Sequence, residues 1–233
     1  NVRLADRPPA SDQWLRDRLR LFTTFTVPSV QSQTCTEFRW LALCDEASPA
    51  WLREELAQVA LLEPVWVHDA WSPGMPAEVV HELRAGADGL VITSRVDNDD
   101  AIARTYIARV QAAATEEGFV NFTSGAQWTQ GRLYRRLDPS NPFISRVEKG
   151  RRAATVFAAD HNKLAALGPI RQFGDGPMWL QVVHDSNLEN RTNGIRMAPA
   201  ALTQRFTIAA APEAVSRLRL AAAQVGTTAR MTA

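Results

Sequence analysis

Four oxygen-bearing side chains stand together directly after an apolar segment that is rich in β-branched residues. Asp97, Asn98, Asp99 and Asp100 follow the segment 91–96. Three carboxylates so close together repel one another, and each of them loses hydration if it is buried. A divalent cation offsets both costs, and Mg²⁺ and Mn²⁺ are usually held by one or two carboxylates together with phosphate oxygens. The spacing therefore indicates metal and phosphate chemistry.

The same cluster has a simpler interpretation as the start of a helix. Aspartate is favoured at the N-cap and in the first turn, because it accepts hydrogen bonds from free backbone N–H groups. The predicted helix 101–114 would follow directly. An EF-hand calcium loop is excluded, since its oxygen ligands are spread over ~12 residues around a central glycine.

Helix and strand signals alternate in the first half of the chain. Helices are predicted after Ser11, after Pro49 and over 76–84. The strands predicted between them are 38–44, 65–68 and 89–96. This alternation predicts βαβ units and a mainly parallel sheet flanked by helices. Right-handed crossovers would then place Asp45 at the same sheet edge as the acidic cluster.

The second half is predicted to contain short elements separated by Gly, Pro and Asn turns. They are strands 119–122, 132–137, 155–157 and 178–184, the short helix 160–167 and an amphipathic tail helix over 212–225. A mobile basic loop is expected over 146–152, with the basic residues Arg146, Lys149, Arg151 and Arg152.

The length of 233 residues fits one large domain or a domain with a modest appendage. The formal net charge of +1 indicates neither nucleic acid nor a membrane surface as a partner. No apolar segment reaches the roughly 18 residues of a transmembrane helix, and no signal peptide is visible, which favours a cytoplasmic location. Cys35 and Cys44 flank a predicted strand, too far apart for a disulfide, so reduced thiols are expected.

Three stretches of the chain, in this order, carry a resemblance to a known family. They are 28–34 (PSVQSQT) with 38–41 (FRWL), 93–101 (TSRVDNDDA) and 179–187 (WLQVVHDSN). With them the chain resembles a GT-A glycosyltransferase and, more narrowly, the bacterial family called putative rhamnosyltransferases. The acidic cluster resembles the DxD motif of the GT-A fold.

The resemblance implies a single GT-A-like domain with a Rossmann-type nucleotide-sugar-binding half, 1–117, and a mixed acceptor and metal half, 118–233. It implies inverting transfer of a sugar, rhamnose by the name of the family, from a nucleoside-diphosphate sugar. The acceptor would be a hydroxyl of a glycan or a small molecule. The oligomeric state is left open.

Transfer from a nucleotide sugar requires the charge of the leaving diphosphate to be neutralised, and a metal that bridges the phosphates does this. We expect Asp99 and Asp100 to hold Mn²⁺ or Mg²⁺. The resemblance adds His184, which closes an apolar strand and also has a purely structural interpretation. Asp97 is expected to face the ribose or the outer shell of the metal. Asn98 would contact the donor or shape the turn.

Two further donor-binding residues and one base complete the expected site. By the resemblance, Asp45 accepts a hydrogen bond from the nucleotide base; otherwise it is a turn acid. Arg95 pairs with the acidic cluster or with phosphate. By the resemblance, Asp160 lies where the catalytic base is expected, with a helix N-cap as its alternative role. Glu148 and Asp185 are its rivals.

Other side chains suit supporting roles, and each has an ordinary structural alternative. The basic loop 146–152 suits a lid over the diphosphate, or is a solvated loop. Asparagines near the last motif suit sugar hydroxyls or backbone turns: Asn187, Asn190 and Asn193. Tryptophans suit sugar stacking or the core: Trp66, Trp71, Trp128 and Trp179.

Two alternative functions remain open at this point. A nucleotidyltransferase also uses carboxylates and Mg²⁺ on an α/β sheet, but it usually carries a Gly-rich phosphate loop, and the segment 4–10 contains no glycine. A non-catalytic nucleotide- or glycan-binding module is the other alternative, with the carboxylates capping a helix.

Overall fold

The computed structural model describes residues 10–68, 77–85, 89–129, 131–184, 194–198 and 200–209. Several predictions concern residues outside these ranges. They are the tail helix 212–225, Trp71, Asp185, Asn187, Asn190 and Asn193.

Six α-helices lie in the described ranges. They are α1 Asp12–Leu21, α2 Val27–Gln31, α3 Ala50–Ala57, α4 Ala77–Ala85, α5 Tyr106–Ala113 and α6 Ala200–Arg205. A π-helical turn, Phe22–Thr26, joins α1 to α2. Three 3₁₀ turns are Gly150–Arg152, Val156–Ala158 and His161–Ala166.

The N-terminal helices form one continuous unit whose shape follows from a cap and a proline. Ser11 caps α1, as predicted, by accepting a hydrogen bond from Trp14 N. Pro28 has no N–H to donate back to the carbonyl of Thr24. The helix widens into the π-helical turn just before it, and the Thr24 carbonyl accepts from Ala209 N at 2.9 Å instead.

Eleven strands lie in the described ranges and form three sheets. The strands are β1 Trp40–Asp45, β2 Leu62–Val67, β3 Leu90–Thr93, β4 Ala101–Ile102, β5 Gly118–Phe122, β6 Ser124–Thr129, β7 Arg132–Leu137, β8 Ser145–Lys149, β9 Ile170–Phe173, β10 Trp179–Val182 and β11 Ile195–Met197. The sheets have the orders β1-β2, β11-β7-β6-β10-β4 and β3-β8-β5-β9.

The α/β class is confirmed, but the sheets are mixed rather than mainly parallel. β1 pairs with β2 in parallel, as β10 does with β6 and β5 with β9. The two strands that flank the acidic cluster pair antiparallel: β3 with β8, and β4 with β10. The chain turns at the cluster, where Asp100 N donates to the Asp97 carbonyl at 3.1 Å, and passes from one sheet into another. The predicted Rossmann-type parallel sheet is therefore not what the described strands show.

Two segments near the acidic cluster differ in secondary structure from their prediction. The segment predicted as helix 101–114 begins as β4, and α5 starts at Tyr106. The segment predicted as strand 155–157 is mostly a 3₁₀ turn, because Thr155 has a φ of 65° that no strand accepts. Strands β6, β8, β9 and β11 were missed. The segment 124–129 illustrates the cause, since small and polar residues dominate it.

The main core packs around Trp179 of β10. Its ring stacks on Phe143 with centroids 5.3 Å apart, and its Nε1 donates to the Phe122 carbonyl at 2.8 Å. Gly125 of β6 leaves room for this ring, since a Cβ there would lie 2.0 Å from it. The packing fixes the position of β10, the strand that leads to His184. The expected division into halves at 117/118 stays a prediction.

Two smaller observations concern the cysteines and the helices of the described ranges. Cys35 and Cys44 are free rather than joined in a disulfide. Within those ranges, none of the helices has the length and apolar character required to cross a bilayer.

Candidate functional site

The pairing of β4 with β10 brings together residues more than 80 positions apart. Leu180 lies opposite Ala101 in an antiparallel register. When this register is continued beyond the strand ends, Val182 lies opposite Asp99, and His184 extends past it. Asp99 and His184 therefore meet at the end of the sheet, where the acidic cluster leaves β4.

Asp99 is a buried carboxylate that contacts a guanidinium and an imidazole. Its Oδ2 lies 2.8 Å from Arg18 Nη1 and 2.8 Å from His184 Nε2. Arg18 Nη1 and His184 Nε2 are 3.5 Å apart. The short contact to Asp99 places the proton on His184 Nε2, because a carboxylate oxygen can only accept. Both contacts use Oδ2, and Oδ1 takes part in neither.

The rest of the cluster is also bound to arginines. Asn98 Oδ1 accepts a hydrogen bond from Arg18 Nη2, so one guanidinium bridges two residues of the cluster. Asp97 is more exposed, and its Oδ1 lies 3.7 Å from Arg95 Nη2. Arg95 in turn lies over the ring of Phe157 at 5.7 Å. The structure thus pairs Arg95 with the cluster, the first of its two predicted partners.

Asp100 faces the protein interior. Its Oδ1 accepts from Val182 N at 2.8 Å, and its carbonyl accepts from Thr26 Oγ1 at 2.8 Å. The first contact joins the cluster to β10 and the second joins it to the π-helical turn. The cluster caps no helix, since β4 follows it, so the helix-start interpretation is wrong.

Neighbouring carboxylates in this cluster have opposite pKa shifts. Burial acts to raise the pKa of Asp99, but the hydrogen bond from His184 and the charge of Arg18 outweigh it and lower that pKa. Burial raises the pKa of Asp100 well above its usual value, and the negative charges of Asp99 and Asp97 add to the effect. Asp99 is held ionised by its neighbours, while Asp100 is held closer to neutrality.

The segment 28–34, one of the three stretches that carry the resemblance, supports the chain that follows the cluster. Ser29 Oγ accepts from Ile102 N at 3.3 Å. Gln33 Nε2 donates to the Ala103 carbonyl at 2.8 Å, and its Oε1 accepts from Ile107 N at 3.0 Å. These polar side chains fix β4 and the start of α5, and thereby the position of the acidic cluster.

The three expected metal ligands do not form a ready-made cage. Across the described part of the chain, no three His, Cys, Asp or Glu side chains group as a metal-binding set. The donor types of Asp99, Asp100 and His184 nevertheless fit Mn²⁺ or Mg²⁺, which take carboxylate oxygens and, for Mn²⁺, imidazole nitrogen. In the arrangement described here, the cation that contacts Asp99 and His184 is the guanidinium of Arg18.

Asp45 lies at the end of β1 and is buried. Its Oδ1 accepts from Ala47 N at 2.9 Å, a contact that suits the turn-acid interpretation. Because β1 and β2 form a sheet separate from β3 and β4, the shared sheet edge that linked Asp45 to the acidic cluster does not follow from the topology.

The base candidates differ sharply in their surroundings. Asp160 is exposed and pairs with Lys163 at 2.9 Å, which lowers its pKa, and the charge of Arg95 lowers it further. Glu148 is buried, and its oxygens accept from Thr155 N at 2.8 Å and from Ala154 N at 3.1 Å. It holds a turn in place and has few sites left for substrate.

The expected basic lid is not one loop. Arg146 and Lys149 belong to β8, inside the sheet. Arg146 pairs with Glu148 at 2.9 Å, so it is a structural ion pair. Arg151 and Arg152 are exposed on the 3₁₀ turn that follows.

The predicted tryptophan platforms are mostly core residues. Trp128 and Trp179 are buried and face no solvent. Trp66 is half-buried, with the guanidinium of Arg53 at 3.9 Å from its ring. The exposed tryptophan beside the site is Trp14, which lies 5.7 Å from the guanidinium of Arg18.

The sequence analysis missed two residues that contact the cluster, Arg18 and Thr26. Helix α1 was predicted from its apolar spacing, which says nothing about its polar face. Trp14 and Arg18 are four positions apart and share that face. The sequence does not show which residues lie opposite that face, so it carries no signal that pairs Arg18 with the cluster.

Comparison with known proteins supports the resemblance. The sequence model of the family described as "putative rhamnosyl transferase" matches residues 7–196. The matched segment includes α1, the acidic cluster and His184. A comparison with curated proteins finds no match.

Proposed function

Because the chain belongs to the family described as putative rhamnosyl transferases, we propose that it transfers a sugar from a nucleoside-diphosphate sugar to an acceptor hydroxyl, with Mn²⁺ or Mg²⁺ as cofactor. The observation that carries the proposal is the meeting of Asp99 and His184 at 2.8 Å, beside the buried Asp100. Family membership supports sugar transfer; the metal, the donor and the inverting course are our proposal.

Asp99, Asp100 and His184 are the residues that would hold the metal. When bound, the ion supplies positive charge that neutralises the leaving diphosphate. The surroundings suit this role, since the cluster already concentrates negative charge that the protein balances with guanidinium groups. The raised pKa of Asp100 fits a carboxylate that needs a further cation beside it to ionise fully.

The more exposed side of the cluster is the proposed donor side. Asp97 and Arg95 face each other loosely, at 3.7 Å, so either can exchange this partner for a ligand at small cost. We assign Asp97 to the ribose and Arg95 to a phosphate. Asn98 and Asp45 complete the proposed donor contacts, with Asp45 at the nucleotide base.

Asp160 is our proposed base, and the surroundings of its rival Glu148 support this choice. A base must be ionised and must reach the acceptor hydroxyl. Asp160 is exposed, so an acceptor hydroxyl can reach it; its ion pair with Lys163 lowers its pKa and would have to open for it to act as a strong base. Glu148 accepts two backbone hydrogen bonds and forms an ion pair with Arg146 inside the protein.

Binding of nucleoside diphosphate with and without metal tests the proposal. The melting temperature of the wild type should rise with nucleoside diphosphate and Mn²⁺ together, and much less with either alone, because a ligand that binds the folded state stabilises it. Asp99→Ala should lose this rise. Asp17→Ala, which removes an exposed acid of α1 paired with Arg20 at 3.8 Å, is the matched control and should keep it.

Two results would refute the proposed site: an equal rise in Asp99→Ala, or no rise in the wild type with any nucleoside diphosphate. Release of pyrophosphate rather than nucleoside diphosphate from a nucleotide sugar would support a nucleotidyltransferase instead.

A further inference from the structure

Arg18 occupies a position between two of the three proposed metal ligands. Its Nη1 lies 2.8 Å from Asp99 Oδ2 and 3.5 Å from His184 Nε2. A divalent ion bound by both residues would have to lie close to the same point. Two cations cannot share that point, because their repulsion at such a distance exceeds what one carboxylate offsets.

The guanidinium of Arg18 is mostly buried, but not all of its N–H groups have a hydrogen-bond partner among the described residues. Its side chain is 15% exposed, and Nη2 donates to Asn98 Oδ1. Its Nε is buried without a hydrogen-bond partner among the described residues. A buried donor left without a partner costs free energy, so this arrangement is not the best one available to the group.

A diphosphate offers what the present arrangement lacks. Guanidinium binds phosphate oxygens through two parallel N–H groups, a geometry in which Nε takes part together with one Nη. Arg18 sits at the proposed donor site on the face of α1 that also carries the exposed Trp14. A short rotation of the side chain away from Asp99 would free that carboxylate.

We propose that Arg18 is an exchangeable cation of the donor site. In the absence of ligand it neutralises Asp99 and keeps the cluster assembled. When metal and nucleoside diphosphate bind, it leaves Asp99 to the metal and binds a phosphate oxygen of the donor. The inference deepens the proposed function and rests on it.

This exchange predicts effects of opposite sign in one variant. Arg18→Met keeps much of the apolar length of the side chain and removes the charge. Because the competitor for Asp99 is gone, Mn²⁺ alone should bind more tightly than to the wild type, on the order of tenfold. Because a phosphate contact is lost, nucleoside diphosphate in saturating Mn²⁺ should bind more weakly, again on the order of tenfold.

The experiment measures Mn²⁺ binding from the signal of free Mn²⁺ in electron paramagnetic resonance, and nucleoside diphosphate binding by calorimetry. Arg20→Met is the matched control, since Arg20 lies on the same helix, is exposed and pairs loosely with Asp17; it should change neither affinity. Arg18→Lys keeps the positive charge but loses the two parallel N–H donors of the guanidinium. It should therefore still compete with Mn²⁺ for Asp99, and it should still bind nucleoside diphosphate more weakly than the wild type does. This second variant tests the inference if Arg18→Met does not fold.

The possible results distinguish failure of the inference about Arg18 from failure of the proposed function. The inference is overturned if Arg18→Met binds Mn²⁺ no more tightly than the wild type does. It is also overturned if neither protein binds Mn²⁺. Unchanged nucleotide affinity overturns it as well. If the wild type binds nucleoside diphosphate with Mn²⁺ but the variant shows no opposite-sign pattern, the inference alone fails. If the wild type shows no metal-dependent nucleotide binding, the proposed function fails and the inference fails with it.

Discussion

Two buried carboxylates of this chain, Glu148 and Asp99, each face an arginine but are bound in different ways. Glu148 pairs with Arg146, two residues away on the same strand, and accepts two backbone N–H groups. Asp99 pairs with Arg18 and His184, both more than 80 positions away, and uses one oxygen for both.

The comparison separates a structural carboxylate from one available for binding. The partners of Glu148 are mostly backbone groups that cannot move without unfolding the turn around Thr155, whose φ of 65° requires such support. The partners of Asp99 are side chains, which can rotate away and be replaced. Burial and an arginine partner are common to both, so neither marks a functional site. The nature of the donors distinguishes them.

The largest expected effect is on turnover, which should fall on substitution of Asp99 and stay unchanged on substitution of Glu148. Asp99→Asn should lower metal-dependent sugar transfer on the order of 10³-fold, because stabilising the charge of the leaving group usually contributes more to such a reaction than any other effect. Glu148→Gln, assayed below its melting temperature, should keep its turnover. The check is the initial rate per folded molecule; equal losses in both variants would remove the distinction.

A smaller loss of turnover is expected at the base. Asp160→Asn should lower turnover about 100-fold, near the lower end for a general base, because water can reach this exposed position and partly replace it. Binding of the donor should be unchanged. Full turnover in this variant would move the role to Asp185 or to Glu148, and in the latter case the comparison would no longer hold.

The effect on stability should be larger for substitution of Glu148 than for substitution of Asp99, the reverse of the effect on turnover. Glu148→Gln leaves Arg146 without its ion-pair partner and weakens two backbone hydrogen bonds, so we expect a loss of about 2–3 kcal/mol. In a chain of this size that lowers the melting temperature by about 5–10 °C. Asp99→Asn should lower it less, since the partners of Asp99, Arg18 and His184, are side chains that can reorient. Thermal unfolding in EDTA measures both values, and a larger drop in Asp99→Asn would contradict this order.

The smallest effect is a pH dependence of opposite sign within the acidic cluster. The pKa of Asp100 is raised by burial and by the neighbouring carboxylates, so its stabilising contribution is complete below about pH 4 and is lost as the pH rises through its folded-state pKa. Asp100→Asn should therefore be more stable than the wild type at pH 7 in EDTA, and the difference should shrink as the pH falls.

Asp99 should show the reverse, because its pKa is lowered: its contribution is present above about pH 4 and is lost on acidification. Urea midpoints of both variants and the wild type at several pH values measure this. Differences of the same sign for Asp99 and Asp100 at pH 7 would show that the two carboxylates have equivalent surroundings.

The sequence was sufficient to predict the acidic cluster as a candidate site, because three carboxylates after a β-branched segment are costly without a partner. His184 was added by the family resemblance, and the roles of these residues stay predictions. The sequence did not predict how they meet, because β4 is two residues long and its antiparallel partner lies about 80 positions away. A local pattern cannot reveal such a pairing, and the aspartates were equally consistent with a helix start.

Arg18 shows a second limit of the sequence. Its spacing within α1 fixes the face of the helix on which it lies, but not which residues lie opposite that face. The contact depends on the π-helical turn, whose Thr26 anchors the cluster by donating to the Asp100 carbonyl at 2.8 Å. Pro28 favours that turn, but the sequence does not show that the turn helps to place Arg18, ten positions earlier, against the acidic cluster.

The most direct test of the central claim is a screen of nucleoside-diphosphate sugars, including rhamnose donors, for turnover with Mn²⁺ or Mg²⁺. We predict release of nucleoside diphosphate from at least one donor, dependent on the metal and lost in Asp99→Asn but retained in Glu148→Gln. Release of pyrophosphate, no release from any donor, or undiminished release in Asp99→Asn would contradict the account.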